Sequence, residues 1–158
     1  MSEINTEKAT ILTIFSLLFF FLYSSWVHFA VHEFGHYIVG TLLGGNCTIR
    51  IEEEAHVTTC YFEKITKSGL FLFSIAGIAA EILLAILFFS VPEFAMMGGS
   101  IFLDMGFRNL MDVYEKDLID AGLVVFAKYP MNLLVFATSI IIYIWSIIVM
   151  LSSCRRKK

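Results

Sequence analysis

The apolar positions of this chain come in long unbroken runs rather than at helical or strand spacing. From Ala9 to Ile49 the only formal charge is Glu33, and between Ser68 and Pro92 it is Glu81. From Tyr129 to Cys154 there is none. Apolar runs of roughly 18 residues or more predict helices that cross a membrane. Spans are therefore expected at about 10–43, 69–91 and 131–153, with a shorter partial span at 94–111 broken by glycines and Asp104. As one helix, residues 10–43 would measure about 50 Å against a hydrocarbon layer of about 30 Å. The segment is expected to be tilted, bent or divided, with Gly35 and Gly40 as candidate flex points and Gly44-Gly45 as its stop.

The pattern changes at residues 46–64, NCTIRIEEEAHVTTCYFEK. Cys47, Ile49 and Ile51 alternate with Thr48, Arg50 and Glu52, the period of a strand. A second β-rich run, His56 to Phe62, follows an acidic turn. Folding the two about Glu53-Glu54 predicts a hairpin at the membrane surface, with Cys47 opposite Cys60. The two could form a cross-strand disulfide in an oxidising compartment or remain thiols. His56 with the two cysteines fits no zinc spacing.

Composition agrees with the patterning. Hydrophobic residues make up 58 % of 158, mean hydropathy is +0.81, and 16 residues are Phe. The start, MSEINTEK, lacks the basic region of a signal peptide, so the first run is expected to be retained. Net charge is −3, and only the RRKK at 155–158 is locally informative. Basic residues directly after an apolar span favour the cytoplasmic side. No nucleic-acid partner is expected from so short a tail. Three cysteines are too few for a disulfide scaffold, and no internal repeat supports a transporter.

Polar chemistry inside the first run is the exception to be explained. The stretch VHFAVHEFGHYIVG, residues 27–40, holds three histidines and a glutamate. On a helix His32 and His36 lie one turn apart on one face, with Glu33 on the next. This is the HExxH arrangement, in which both histidines bind zinc and the glutamate acts as general base. An ionisable residue in mid-span costs about 2.5–3.5 kcal/mol on insertion scales, so such residues are rarely idle. A catalytic zinc needs a third protein ligand and one open position. His28, a further turn back, is too far along the axis to share the ion and is read as supporting or proton-handling.

HEFGH matches the H-E-x-G-H of the site-2 protease family of intramembrane zinc metalloproteases, which the chain resembles over residues 32–122. The family's Gly-Pro-x-x-Asn motif corresponds to GIAAE, where Gly77 matches, Ile78 stands at the Pro and Glu81 at the Asn. Its Asn-x-x-Pro stretch leading to Leu-Asp-Gly is similar to FRNLMDVYEKDLIDAG, residues 107–122. There Asn109 matches, Asp112 replaces the Pro, and Asp-Gly is not intact. The resemblance implies a third zinc ligand from this stretch. Asp120, followed by Ala121-Gly122 and an apolar run, is the preferred candidate. Asp117, eight residues after Asn109 at the family's usual distance, is the alternative, and Asp104 a third choice that breaks the motif order. The resemblance also implies that Gly77, Glu81 and Asn109 hold substrate or order the site.

The resulting expectation is an all-α polytopic membrane protein, a single domain over residues 1–158 with three to four transmembrane helices and a small β-hairpin after the HEFGH helix. Its expected function is an intramembrane endopeptidase with one zinc ion, acting in the lipid bilayer on transmembrane protein substrates. Glu33 would be the base, with Glu33, His28 and Glu81 lining a polar cavity. The competing expectation is a degenerate zinc-binding adaptor that holds transmembrane helices without cutting them.

Overall fold

The computed structural model describes residues 4–51, 56–111, 114–123 and 131–155. The first apolar run forms helix α1 (Thr6–Leu22), a single π-helical turn (Tyr23–Val27) and helix α2 (His28–Leu42). Asn5 opens α1 by accepting a hydrogen bond from the Lys8 backbone N–H at 3.1 Å, the usual role of an N-cap asparagine. The irregularity in this run is the π turn, not Gly35 or Gly40. A π turn inserts one extra residue and re-aims everything after it. Past it, His28, His32, Gly35, His36 and Gly40 all face inward. Gly44, at φ +82°, ends the run in the left-handed region that glycine tolerates.

The hairpin follows. Strands β1 (Asn46–Ile51) and β2 (His56–Tyr61) pair antiparallel, with Cys47 opposite Cys60. The two cysteines form a disulfide, their Cα atoms 4.1 Å apart. The expected turn at Glu53-Glu54 lies outside the described residues.

Helix α3 (Lys67–Phe89) is capped by Thr66, whose hydroxyl accepts from the Gly69 N–H. A short 3-10 turn at Pro92–Phe94 leads into α4 (Ala95–Leu110), then α5 (Glu115–Asp120) and α6 (Met131–Ser153). Three helical stretches, Thr6–Leu42, Lys67–Phe89 and Met131–Ser153, are long and apolar enough to cross a membrane. At 16 residues, α4 is shorter.

Packing fixes which ends lie together. Lys8 reaches Glu93 at 2.9 Å, and the Asn5 N–H donates to the Cys154 carbonyl. The start of α1, the turn after α3 and the end of α6 therefore share one end of the bundle. The hairpin shares the opposite end with the close of α4. The outward faces stay apolar, as Leu18, Phe21, Trp26, Leu87 and Ile141 illustrate, each more than half exposed. Between α4 and α6 the contact runs through small residues, Gly99 against Ser146 and Gly106 against Ser139. Small residues let helix backbones approach closely where no water drives them together.

A candidate metal centre

Helix α2 packs against α3 with Gly77 directly under His32. A Cβ at Gly77 would fall about 2.5 Å from the imidazole ring. Glycine there is what leaves room for the ring. Gly77 thus has a packing use against His32.

The two HExxH imidazoles are oriented from behind. His36 Nδ1 lies 2.7 Å from the Phe73 carbonyl oxygen, which can only accept, so the proton sits on Nδ1. His32 Nδ1 lies 2.8 Å from Glu81 Oε1. Both Nε2 atoms therefore point forward, 3.2 Å from each other. Asp117 Oδ2 completes the group, 3.0 Å from His32 Nε2 and 3.6 Å from His36 Nε2. Burial alone would raise the Asp117 pKa, but the two imidazole contacts outweigh it and hold the carboxyl at about 2. It is anionic at neutral pH.

Two imidazole nitrogens and a carboxylate oxygen converging on one point require a positive charge between them. A proton shared by His32 and Asp117 can supply it, and so could a divalent cation. The 3.0 Å contact is also that of a hydrogen bond, while ligands at about 2.0–2.2 Å from a tetrahedral zinc would be about 3.3–3.6 Å apart, so the separations are compatible with either. His32, His36 and Asp117 thus could hold a metal ion, with a charge and donor set suited to zinc.

The preferred sequence candidate, Asp120, is not in this group; its alternative, Asp117, is. One turn separates them on α5, about 4.5 Å of rise. Asp117 lies beside the buried anchors Tyr114 and Leu118, whereas Asp120 ends the helix and is exposed, on the wall of the same cavity. Asp104 is not in the metal group and pairs with Arg108 at 2.8 Å. Asp112 lies outside the described residues.

Glu81 is fully buried and does not line the cavity, contrary to expectation. It accepts hydrogen bonds from Tyr23 at 2.9 Å and from Tyr114 at 3.1 and 3.2 Å, besides facing His32. Burial, then the neighbouring Glu81, raises the Tyr114 pKa, which keeps that phenol a donor. A carboxylate behind a ligand histidine fixes its tautomer and raises its basicity.

Glu33, His28 and the metal group line one cavity of about 400 Å³, together with Thr58, Phe73 and Tyr114. His28 is not in the group formed among the described residues; its Nδ1 accepts from Arg108 Nη2 at 3.0 Å. The same Nη2 donates to the Ser24 carbonyl in the π turn. Asn109 is buried on α4, on the wall of a different cavity, and its Nδ2 lacks a partner among the described residues. A larger apolar groove of about 820 Å³ runs between α2 and α3, lined by Ala30, Phe34, Ala80 and Leu83. Glu33 belongs to both.

Sequence reasoning missed Tyr23, Tyr114, Thr58 and Arg108. Only Arg108 carried a local signal, its four-residue spacing from Asp104. No protein-family model matches the chain, and no curated protein or solved structure matches it either.

Proposed function

We propose that this chain is an intramembrane zinc endopeptidase of the site-2 protease type, hydrolysing peptide bonds in or near transmembrane segments of other proteins. The observation that carries the reading is the convergence of His32, His36 and Asp117, with Glu33 on the wall of the same cavity. Asp117 stands at the family's usual distance from Asn109.

The bilayer setting is supported by three spanning-length helices with apolar outward faces. Two independent features agree on orientation. The basic tail at residues 155–158 favours the cytoplasm for the end of the bundle where α1 starts and α6 ends. The Cys47–Cys60 disulfide favours an oxidising compartment for the hairpin at the other end.

Zinc held at this site would lower the pKa of a water molecule toward neutrality and polarise the substrate carbonyl. Glu33 accepts the proton of the attacking water and delivers it to the departing amine. Glu81 and the Phe73 carbonyl keep His32 and His36 in the tautomer that leaves Nε2 available. His32, His36 and Glu81 are buried in protein, which supports a site that a bilayer could tolerate. A substrate helix approaching by the α2–α3 groove meets Glu33 at its inner wall. Locally unwound, it could pair with the outer edge of β1, since β2 is turned toward α2.

The test is zinc content and cleavage of a model transmembrane substrate, for wild type and Glu33→Gln. Wild type should bind one zinc and cleave; the variant should keep zinc and lose about 10²–10⁴-fold in rate. Zinc binding without cleavage by the wild type would identify the adaptor instead. Absence of zinc would sink both readings.

A further inference from the structure

We infer that Thr58, on the hairpin, is a positioning residue for Glu33, and that the disulfide seats the hairpin where it can act. The inference rests on the peptidase reading above.

Glu33 follows His32 by 100° around α2, so its side chain leaves the helix beside the metal face rather than on it. A carboxylate on two methylene groups must be held if it is to meet a reacting water in one geometry, and misplacement by about 1 Å can cost about 10²-fold. Thr58 grips it at both ends. Its backbone N–H donates to Glu33 Oε2 at 2.6 Å, and its hydroxyl donates to the Glu33 backbone carbonyl at 2.9 Å. One carboxylate oxygen is thereby anchored and the other remains as proton acceptor. The short N–H contact is of the charge-assisted kind. Thr58 lines the same cavity as His32, His36 and Asp117.

The hairpin is registered on α2 by a second contact. Gly40 lies two turns beyond Glu33 on the same face. A Cβ at Gly40 would stand 2.5 Å from the Cys60 sulfur and 2.6 Å from that of Cys47. The disulfide therefore rests on the helix backbone, and any larger residue at Gly40 lifts the hairpin away from Glu33.

Two readouts test this in the full chain, one independent of metal and activity. By amide hydrogen exchange, the Thr58 N–H should be protected in the wild type and exchange about 10-fold faster or more in Gly40→Val, with the β1–β2 ladder still protected. In steady-state cleavage, Gly40→Val and Thr58→Pro, which lacks the N–H, should lower kcat by about 10-fold or more at unchanged KM and zinc content, whereas Thr58→Val keeps the N–H on the Glu33 carboxylate and should cost less. If neither Gly40→Val nor Thr58→Pro folds, protection of the wild-type Thr58 amide decides. An unprotected Thr58 amide in the wild type, or an unaltered kcat in Thr58→Pro, would overturn the positioning role. An inactive wild type with a protected amide would instead defeat the peptidase reading and remove the catalytic meaning of the contact.

Discussion

Two buried acids, one on α3 and one on α4, each connect to a histidine of α2, and their partners separate them. Glu81 takes two tyrosine hydroxyls and the Nδ1 side of His32, whose other nitrogen faces the metal group. Asp104 takes Arg108, which in turn bonds His28 and a carbonyl of the π turn. The first is a carboxylate that orients His32, a candidate ligand. The second is an ion pair that braces a helix irregularity and ties off a histidine. Both acids are buried and both are costly to desolvate, so burial of charge does not by itself mark a functional site. What the charge points at does.

The largest effect should come from the one residue that distinguishes a metal centre from a polar core. Asp117→Ala removes a ligand and leaves both buried acids in place. Zinc should be lost from the purified protein, at least 100-fold in affinity, whereas Asp120→Ala should retain it. Equal retention by both variants would reduce the Glu81 cluster to the same structural status as the Asp104 cluster.

Next in size is the direct exchange between the two acids. Glu81→Gln should weaken zinc binding about 10–100-fold with the bundle still folded, the usual cost of disturbing a carboxylate behind a ligand histidine. Asp104→Asn should show the opposite profile. Leaving Arg108 without its partner is expected to cost about 3–5 kcal/mol of stability, with zinc affinity within about 3-fold of wild type once folded. Thermal unfolding and zinc titration, measured on both variants, would read the difference. A loss of metal in Asp104→Asn without loss of stability would merge the two clusters into one site.

This contrast also marks how far the sequence could be read. His32, Glu33 and His36 are joined by helix periodicity alone, so their shared face follows from spacing. The hairpin and the Cys47–Cys60 opposition follow from a period of two, again local. Asp117 against Asp120 could not be decided that way, because the choice depends on how α5 docks against Tyr114 and Leu118, a tertiary matter. Glu81 was legible as an unusual acid, but its role needed Tyr23, the first residue of a π turn that no residue pattern announced. Gly35 and Gly40 drew attention as flex points, and Gly77 through a motif match. Gly40 and Gly77 instead serve as contact points, because in a bundle this close-packed the missing side chain is the space that a sulfur or an imidazole occupies.

The smallest effect sharpens the comparison most finely. Tyr23 and Tyr114 both donate to Glu81, so the carboxylate keeps a hydroxyl partner when either one is removed. Tyr23→Phe should therefore cost only about 0.5–1.5 kcal/mol, one net hydrogen bond, and should shift zinc affinity less than Glu81→Gln does. Tyr114→Phe keeps the ring stacked on His32, centroids 5.4 Å apart, but removes the donor to Glu81 Oε1, the oxygen that faces His32, whereas Tyr23 donates to Oε2. Its cost in affinity should exceed that of Tyr23→Phe at similar cost in stability. The double variant should then lose more than the sum of the singles, because the last hydroxyl leaves a buried carboxylate with His32 as its remaining partner among the described residues. Strict additivity would mean that the tyrosines merely fill space around Glu81. Coupling would mean that they set the charge that His32 presents to the metal.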